Sequence, residues 1–300
     1  MLEALAEILA GQARSDGSSP TAIDGIHAFR ASGPSPLRCL VYQACVIIVA
    51  QGIKRARVDG DDFDYSPSRY LVLPVALPID AQILEASQER PFLSMMIGID
   101  PVMLAELVTA IEPGGPRRGS AVRGIAVSEM TDEILEAALR LLSCLGSELD
   151  CRVLAPQIKR EILYRVLLGP QGELLRGVGD RDSRLGQVSR ALQRIHAGYD
   201  QRIEIAALAR ESHMSTSTFY EAFKSVTSQT PLQYLKEVRL RRARQIMVWE
   251  GATASLAASQ VGYASASQFS REFKRRFGRT PGEERAWADE TGERQGARPY

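Results

Sequence analysis

The sequence predicts an α+β protein in two parts: a small antiparallel β-sandwich or barrel with attendant helices, then an all-helical C-terminal portion. Three observations carry this. Between about residues 26 and 100, β-branched runs such as CLVYQACVIIVAQG and YLVLPVALPI are broken by Gly, Pro and Asp clusters at the spacing of short strands. Beyond the Gly-rich stretch GPQGELLRGVGDRDS, the chain reads as helical to about Ala286. Charge divides at the same place. Residues 1–180 hold 17 Lys/Arg against 23 Asp/Glu, net −6, while residues 181–300 hold 20 against 13, net +7. The overall charge of +1 hides this asymmetry, which suggests that the C-terminal part meets a polyanion.

In chain order, an amphipathic helix opens at about Leu2 and runs to Gln12, with Leu2, Leu5, Ala6 and Leu9 on one face. SDGSSP ends it. The strand region follows, with Asp59-Gly60 as a hairpin signal inside RVDGDDFDYSPSRY. Pro101 opens a second helix, PVMLAELVTAI, because proline fits a helical first turn without losing a bond. After the loop EPGGPRRGS, Thr131 caps a helix whose stripe is Ile134, Leu135, Ala138, Leu141, Leu142 and Leu145. Another helix, Leu154 to Leu168, repeats Leu154, Ile158, Ile162 and Leu163. These two stripes either cover the barrel or form a subunit interface, so a homodimer stays open.

Composition excludes several classes. No apolar run approaches the roughly 20 residues of a membrane-spanning helix, and MLEALAEILAGQAR lacks the basic start of a secretory signal. A protein of the cytoplasm is expected. Three histidines and four cysteines without CxxC spacing leave little for metal or for a disulfide framework. No cofactor, metal site or catalytic residue is expected.

The basic half contains two similar passages, IAALARESHMSTSTFYEAFKSVTSQTPLQYL and LAASQVGYASASQFSREFKRRFGRTPGEER. Each has an Ala-rich helix, a short turn, a Ser-initiated helix ending in Phe-Lys, and a Thr-Pro pair. Phe219 and Phe223 match Phe269 and Phe273, each pair four apart on one helical face. Small residues (Ala206, Ala207 and Ala209; Ala257 and Ala258) let two helices approach closely at a turn. The outer face of the second helix is then free to enter a major groove. Two such units in register, joined by EVRLRRARQIM, are far stronger evidence than one.

On these residues the last hundred positions resemble the DNA-binding domain of the AraC/XylS family of bacterial transcription regulators. Leu208-Ala209, Met214-Ser215, Phe223-Lys224, TPLQYLKEVRLRRAR and VGYASASQFSREFKRRFGRTP carry the resemblance. Upstream, QGIKRARVDGDDFDYSPSRYLVLPVALPIDAQILEASQERPFL resembles the cupin-like sensor barrel of one branch of that family. The resemblance implies a cupin-like β-barrel with a helical hairpin, then an all-α double helix-turn-helix domain of seven helices braced by 231–248. It implies a sensor domain over 1–176, a linker over 177–185, a DNA-binding domain over 186–287 and a flexible tail over 288–300. The implied partners are double-stranded promoter DNA, RNA polymerase and a small-molecule effector, with activation favoured by family precedent.

By the same resemblance, Ser217, Tyr220 and Glu221 in the first unit and Ala266, Ser267, Gln268 and Arg271 in the second face bases. Arg271 suits bidentate bonding to guanine and Gln268 suits adenine. Lys224, Lys274, Arg275, Arg276 and Arg279 are expected at phosphates. Of Arg239, Arg241, Arg242 and Arg244, whose spacing covers most of a helix circumference, at least one is expected to pair with Glu237 or another internal acid. His213 falls in the turn of the first unit. A solvated helix face is the plain alternative for each exposed residue.

In the barrel, Tyr42, Gln43, Gln51 and Lys54 are candidate polar handles in an aliphatic interior, with Gln51-Gly52 read as a turn. Arg117, Arg118 and Arg123 are candidates to hold an anion, a nucleotide phosphate among them. Cys39 and Cys45, six apart, share a face if their strand is regular, and Cys144 and Cys151 flank a turn. All four read as small core residues. Thiol or electrophile sensing, ligand-independent regulation, and a cupin enzyme fused to a DNA-binding domain remain as alternatives; the last lacks a His/carboxylate cluster.

Overall fold

The computed structural model describes residues 1–58, 60–111, 124–180 and 183–290. The chain divides into two compact units, Met1–Ser189 and a second beginning at Arg190.

The first unit opens with α1 (Leu2–Gln12), whose Leu5 and Leu9 are buried against the sheet that follows. Ten strands come next: β1 (Gly17–Pro20), β2 (Ile26–Ala31), β3 (Arg38–Tyr42), β4 (Cys45–Gln51), β5 (Ile53–Val58), β6 (Asp61–Tyr65), β7 (Arg69–Leu73), β8 (Leu77–Glu85), β9 (Phe92–Gly98) and, after α2 (Pro101–Ile111), β10 (Ala126–Glu129). They form a six-stranded sheet, β1-β2-β9-β4-β7-β10, and a four-stranded sheet, β3-β8-β5-β6. Every pairing is antiparallel. The sheets face each other: Lys54 of the smaller one lies over the Phe29 ring of the larger, 4.2 Å from its centroid.

Two apolar runs that look continuous in sequence are each cut in two. CLVYQACVIIVAQG is β3 and β4, and YLVLPVALPI is β7 and β8, with the break at Gln43-Ala44 in one and Pro74–Ala76 in the other. At both breaks the chain crosses from one sheet to the other. Cys39 and Cys45 therefore sit on different strands of different sheets, and the even-spacing argument for a shared face does not hold. β1 is made of GSSP, a composition that predicts loop; it forms because β2 offers it a full antiparallel register, Gly17↔Arg30 to Pro20↔His27. The Gln51-Gly52 turn needs glycine. Its φ is +82°, and a Cβ there would lie 2.5 Å from the Glu85 carbonyl oxygen and 3.0 Å from the Phe92 Cα.

The helices of this unit are α3 (Asp132–Ser143), α4 (Glu148–Val153), α5 (Ala155–Leu168) and α6 (Gly172–Gly179). Thr131 caps α3, accepting from the Ile134 N–H at 3.4 Å, as the sequence predicts. α3 and α5 pack together as the expected hairpin. Leu154, expected in the buried stripe, is instead exposed before the first turn of α5. The Gly-rich stretch GPQGELLRGVGDRDS, which overlaps the expected 177–185 linker, contains α6, with Leu174 and Leu175 buried.

The second unit is helical: α7 (Arg184–Ala197), within which the division falls, α8 (Ile205–Glu211), α9 (Thr216–Thr227), α10 (Pro231–Trp249), α11 (Ala254–Gln260), α12 (Ala266–Phe277) and α13 (Pro281–Glu290). Thr230 and Gln233 form a capping box at the start of α10, with Pro231 in its first turn. Among the described residues no helix is long and apolar enough to cross a membrane, and no group of His, Cys, Asp and Glu is placed to hold a metal ion.

Candidate nucleic-acid interface

Both helix-turn-helix units are present. α8 and α9 form the first, α11 and α12 the second. Ser215 and Ser265 cap the second helix of each unit, accepting from the N–H groups of Thr218 and Gln268 at 3.2 and 3.3 Å. Phe219, Phe223, Phe269 and Phe273 are all buried, and the rings of each pair pack at a tilt with centroids 5.6 and 5.4 Å apart. Four residues apart on one face, the rings turn the opposite face of the helix to solvent.

The turns match in geometry before they differ in length. Met214 N–H bonds to the Ala209 carbonyl at 3.0 Å, as Tyr263 N–H does to Ala258. His213 and Gly262 then correspond, and both are left-handed, with φ of +55° and +81°. The second turn spans 261–265 against 212–215 in the first, and the extra residue falls after Tyr263. His213 is thus a turn residue that tolerates a conformation glycine would adopt freely.

The residues expected at bases lie on the solvent face. Ser217, Glu221, Ala266, Ser267, Gln268 and Arg271 are exposed, and Tyr220 is half-buried. The Gln268 side-chain amide also donates to Glu272 at 3.2 Å. Of the residues expected at phosphates, Lys224, Lys274 and Arg275 are exposed. Arg279 stacks over Trp287 at 4.4 Å and reaches Glu284 at 3.5 Å. Arg276 turns inward, its Nε donating to both oxygens of Glu237 at 2.7 and 2.8 Å. That geometry makes it a brace between α10 and α12, not the solvent-facing cation that a phosphate role calls for.

Three carboxylates tie α12 and α13 to α10. Glu237, 8% exposed on α10, accepts from Arg241 one turn on and from Arg276 of α12. Glu284, 2% exposed on α13, accepts from Arg244 at 2.6 Å and pairs with Arg279. Glu272 on α12 accepts from Lys236 and from the Tyr263 hydroxyl, both at 2.8 Å. Burial pushes the Glu272 carboxyl up, and these hydrogen bonds outweigh it, holding the group below the ordinary glutamate range. Arg239 donates to the backbone carbonyls of Tyr199 and Gln201 at 2.6 and 2.8 Å. The arginines of α10 are therefore mostly structural, as the expected pairing with Glu237 anticipated; Arg242 is the exposed one.

Sequence reasoning missed these clamps except at Glu237. The bonds that join separate helices span 36 to 40 positions, so no local pattern marks them. It also missed His196, whose ring nitrogen lies 2.7 Å from the Tyr234 hydroxyl. Burial lowers the His196 pKa to about 4. The unfolded imidazole, near 6.5, binds protons that the folded one refuses, so stability is intact above about pH 6.5 and falls as pH drops toward 4. We expect the second unit to lose about 3 kcal/mol between pH 7 and pH 4 from this residue. Urea titrations of wild type and His196→Gln across that range check it. An unaltered pH slope in the variant would remove His196 as the cause.

In the first unit, Tyr42 and Lys54 lie in the interior, both nearly inaccessible, whereas Gln43 is exposed at the break between strands. Gln51 donates to the Pro91 carbonyl at 2.7 Å, a structural role. Arg117, Arg118 and Arg123 lie outside the described residues. Burial pushes the Cys45 thiol well up, which suits an inert core residue.

The sequence pattern of the AraC-type transcriptional regulator N-terminus matches residues 22–174, and that of a helix-turn-helix domain matches 208–286. Among curated relatives, the HTH-type transcriptional regulator AlkR of Acinetobacter baylyi is 38% identical over 95 residues, 32% of this chain and 31% of that protein. The RCS-specific HTH-type transcriptional activator RclR of Escherichia coli is 42% identical over 81 residues, 27% and 28% of the two chains. The chain thus spans about a third of the length of these relatives. The crystal structure of an apo ToxT point variant from Vibrio cholerae superposes with a TM-score of 0.57 at 9% identity, over 89% of this chain and 99% of that one. Wild-type ToxT with an unsaturated fatty acid bound gives 0.55 at 11% identity, over 87% and 93%. That likeness is one of fold. With a family pattern spanning the first unit and a helix-turn-helix pattern spanning both recognition helices, the chain belongs to the AraC-type transcriptional regulators.

Proposed function

We propose that this protein is a sequence-specific DNA-binding transcription activator of the cytoplasm, controlled by a small molecule held in its N-terminal barrel. The observation that carries the DNA-binding half is the pair of capped helices α9 and α12, each anchored by two buried phenylalanines so that its opposite face stays exposed. Residues 186–287 act as the DNA-binding domain, 1–176 as the sensor, 177–185 as the linker and 288–300 as a tail. Ser217, Tyr220, Glu221, Ala266, Ser267, Gln268 and Arg271 read bases, and Lys224, Lys274, Arg275 and Arg279 meet phosphates. RNA polymerase is the downstream partner. RclR, named as an activator, supports activation, and the fatty acid bound by ToxT supports ligand binding within this fold. For control, the ligand must prefer one arrangement of the protein over another, since tight binding alone shifts no equilibrium.

Promoter footprinting tests the assignment. Arg271→Ala is expected to weaken binding to the cognate site by about 1–3 kcal/mol while leaving a scrambled duplex unaffected; Lys274→Ala is expected to weaken both and to lower the salt slope by about 1. Equal losses on both duplexes for Arg271→Ala would defeat its base-reading role. A second reading, thiol sensing, draws on one observation: the half-buried Cys151 Sγ donates to the Cys144 carbonyl at 3.2 Å, placing two thiols in one turn. Induction unchanged after both are replaced by serine discards it.

A further inference from the structure

α10 and α12 open alike, yet their first glutamines turn opposite ways. Each helix carries a hydroxyl cap, a glutamine three positions on and a glutamate four beyond that. These are Thr230, Gln233 and Glu237 in α10, and Ser265, Gln268 and Glu272 in α12. In α10 the glutamine turns back, its Oε1 accepting from the Thr230 N–H at 3.0 Å to close the capping box. Glu237, one turn on, is buried and already engaged by Arg241 and Arg276. In α12 the glutamine turns forward, and its Nε2 donates to the Glu272 Oε1 at 3.2 Å. The first recognition helix has Thr218 and Ala222 at the matching positions, so α9 carries no counterpart.

Glu272 is itself held from two other elements. Its side chain is 11% exposed. Lys236 of α10 donates to Oε1 and the Tyr263 hydroxyl, from the turn before α12, donates to Oε2, both at 2.8 Å. Tyr263 in turn packs edge-on against Phe269, with centroids 5.3 Å apart. Burial opposes ionisation of this carboxyl, and the bonds from Lys236, Tyr263 and Gln268 overcome it. A carboxylate only accepts hydrogen bonds, so the atom that Gln268 turns toward it is the amide nitrogen. The amide oxygen and the second N–H remain for the exposed face of α12, where Gln268 stands.

Those two groups match one base edge. Adenine offers the N6 donor beside the N7 acceptor in the major groove, whereas guanine offers two acceptors, N7 and O6. A glutamine amide free to rotate can turn its NH2 group to guanine instead. An anchored one sets its oxygen against guanine O6, so repulsion adds to the selectivity that the adenine match provides. We propose that Glu272 is a positioning residue for base readout: by accepting one amide N–H of Gln268 it turns the amide oxygen outward and makes α12 select adenine at one base pair. This deepens, and rests on, the reading of Gln268 as a base-contacting residue.

The test is base preference, measured on the full chain. A site is first selected by the wild-type protein from a randomised duplex pool. Binding is then measured to duplexes carrying each of the four base pairs at each position of that site. Wild type is expected to favour adenine over guanine at one position by about 5- to 150-fold. Gln268→Ala identifies that position by flattening it. Glu272→Gln, whose amide donates as well as accepts, is expected to flatten the same position to within about twofold while the other preferences persist. The double variant Lys236→Met, Glu272→Met exchanges the ion pair for apolar groups of similar length, and gives the same readout where the single variant does not fold. A position flattened by Gln268→Ala but left sharp by the Glu272 variants overturns the positioning role and upholds base reading by Gln268. A uniform loss of affinity in those variants, with the adenine preference intact, likewise overturns it, because a merely structural brace behaves so. A Gln268→Ala variant that flattens no position defeats the base-reading assignment and the positioning role together.

Discussion

Gly262→Ala is expected to destabilise the second unit by about 2–5 kcal/mol, with loss of promoter binding at 37 °C. Two costs add. The residue sits at φ +81°, where any L side chain meets its own backbone at about 1–2 kcal/mol. A Cβ would also overlap the carbonyl oxygen of Asp200 and lie 2.8 Å from its carbon, and backbone does not rotate away as a flexible side chain would. Forced overpacking of this kind adds about 1–3 kcal/mol. The first unit supplies an internal control. His213 holds the equivalent turn at φ +55°, so His213→Gly is expected to stabilise, by up to about 1 kcal/mol. Urea unfolding of both variants checks the pair. A Gly262→Ala variant within 0.5 kcal/mol of wild type, a roughly set threshold for an ordinary surface change, would show that the Asp200 segment yields.

Glu237→Gln is expected to cost about 3–5 kcal/mol. Its carboxylate serves Arg241, whose side chain is 3% exposed, and Arg276, 30% exposed. Removing one member of a buried charge cluster costs far more than the cluster contributes net, because the remaining charges keep their desolvation penalty. The functional consequence is specific: Arg276 ties α12 to α10, so the variant should lose promoter affinity even where it remains folded. A double-mutant cycle with Arg276→Ala measures the coupling. Strict additivity would mean that the contact is incidental.

Much of the fold was legible because local physics wrote it. α1, α2, the Thr131 cap and the two repeats follow from periodicity, proline placement and hydroxyl caps, all of which act within a turn or two. The paired phenylalanines fixed which face of α9 and α12 is buried, and so which residues are exposed. The barrel was legible only as a set of strands. CLVYQACVIIVAQG and YLVLPVALPI are almost wholly apolar because each is buried on both sides of a crossing, and a single Gln43 or Pro74 at the break is too short a mark to show where the chain changes sheets.

The candidate interface divides along the same line. The sequence by itself determined that the C-terminal half is basic, that it holds two helix-turn-helix units, and that Arg271, Lys274 and Arg275 stand on the outer face of the second. Only the tertiary structure decided which cations are available. Arg276, one residue from Arg275 and indistinguishable from it in composition, points to Glu237, 39 positions away. The same holds for Lys54, which in sequence is one basic residue of the run KRAR and in the barrel is the amine between two sheets. The reason is one of range. Helical periodicity and capping are set by bonds between near neighbours, while the protonation, pairing and exposure of a charged group are set by whatever distant segment folding brings against it.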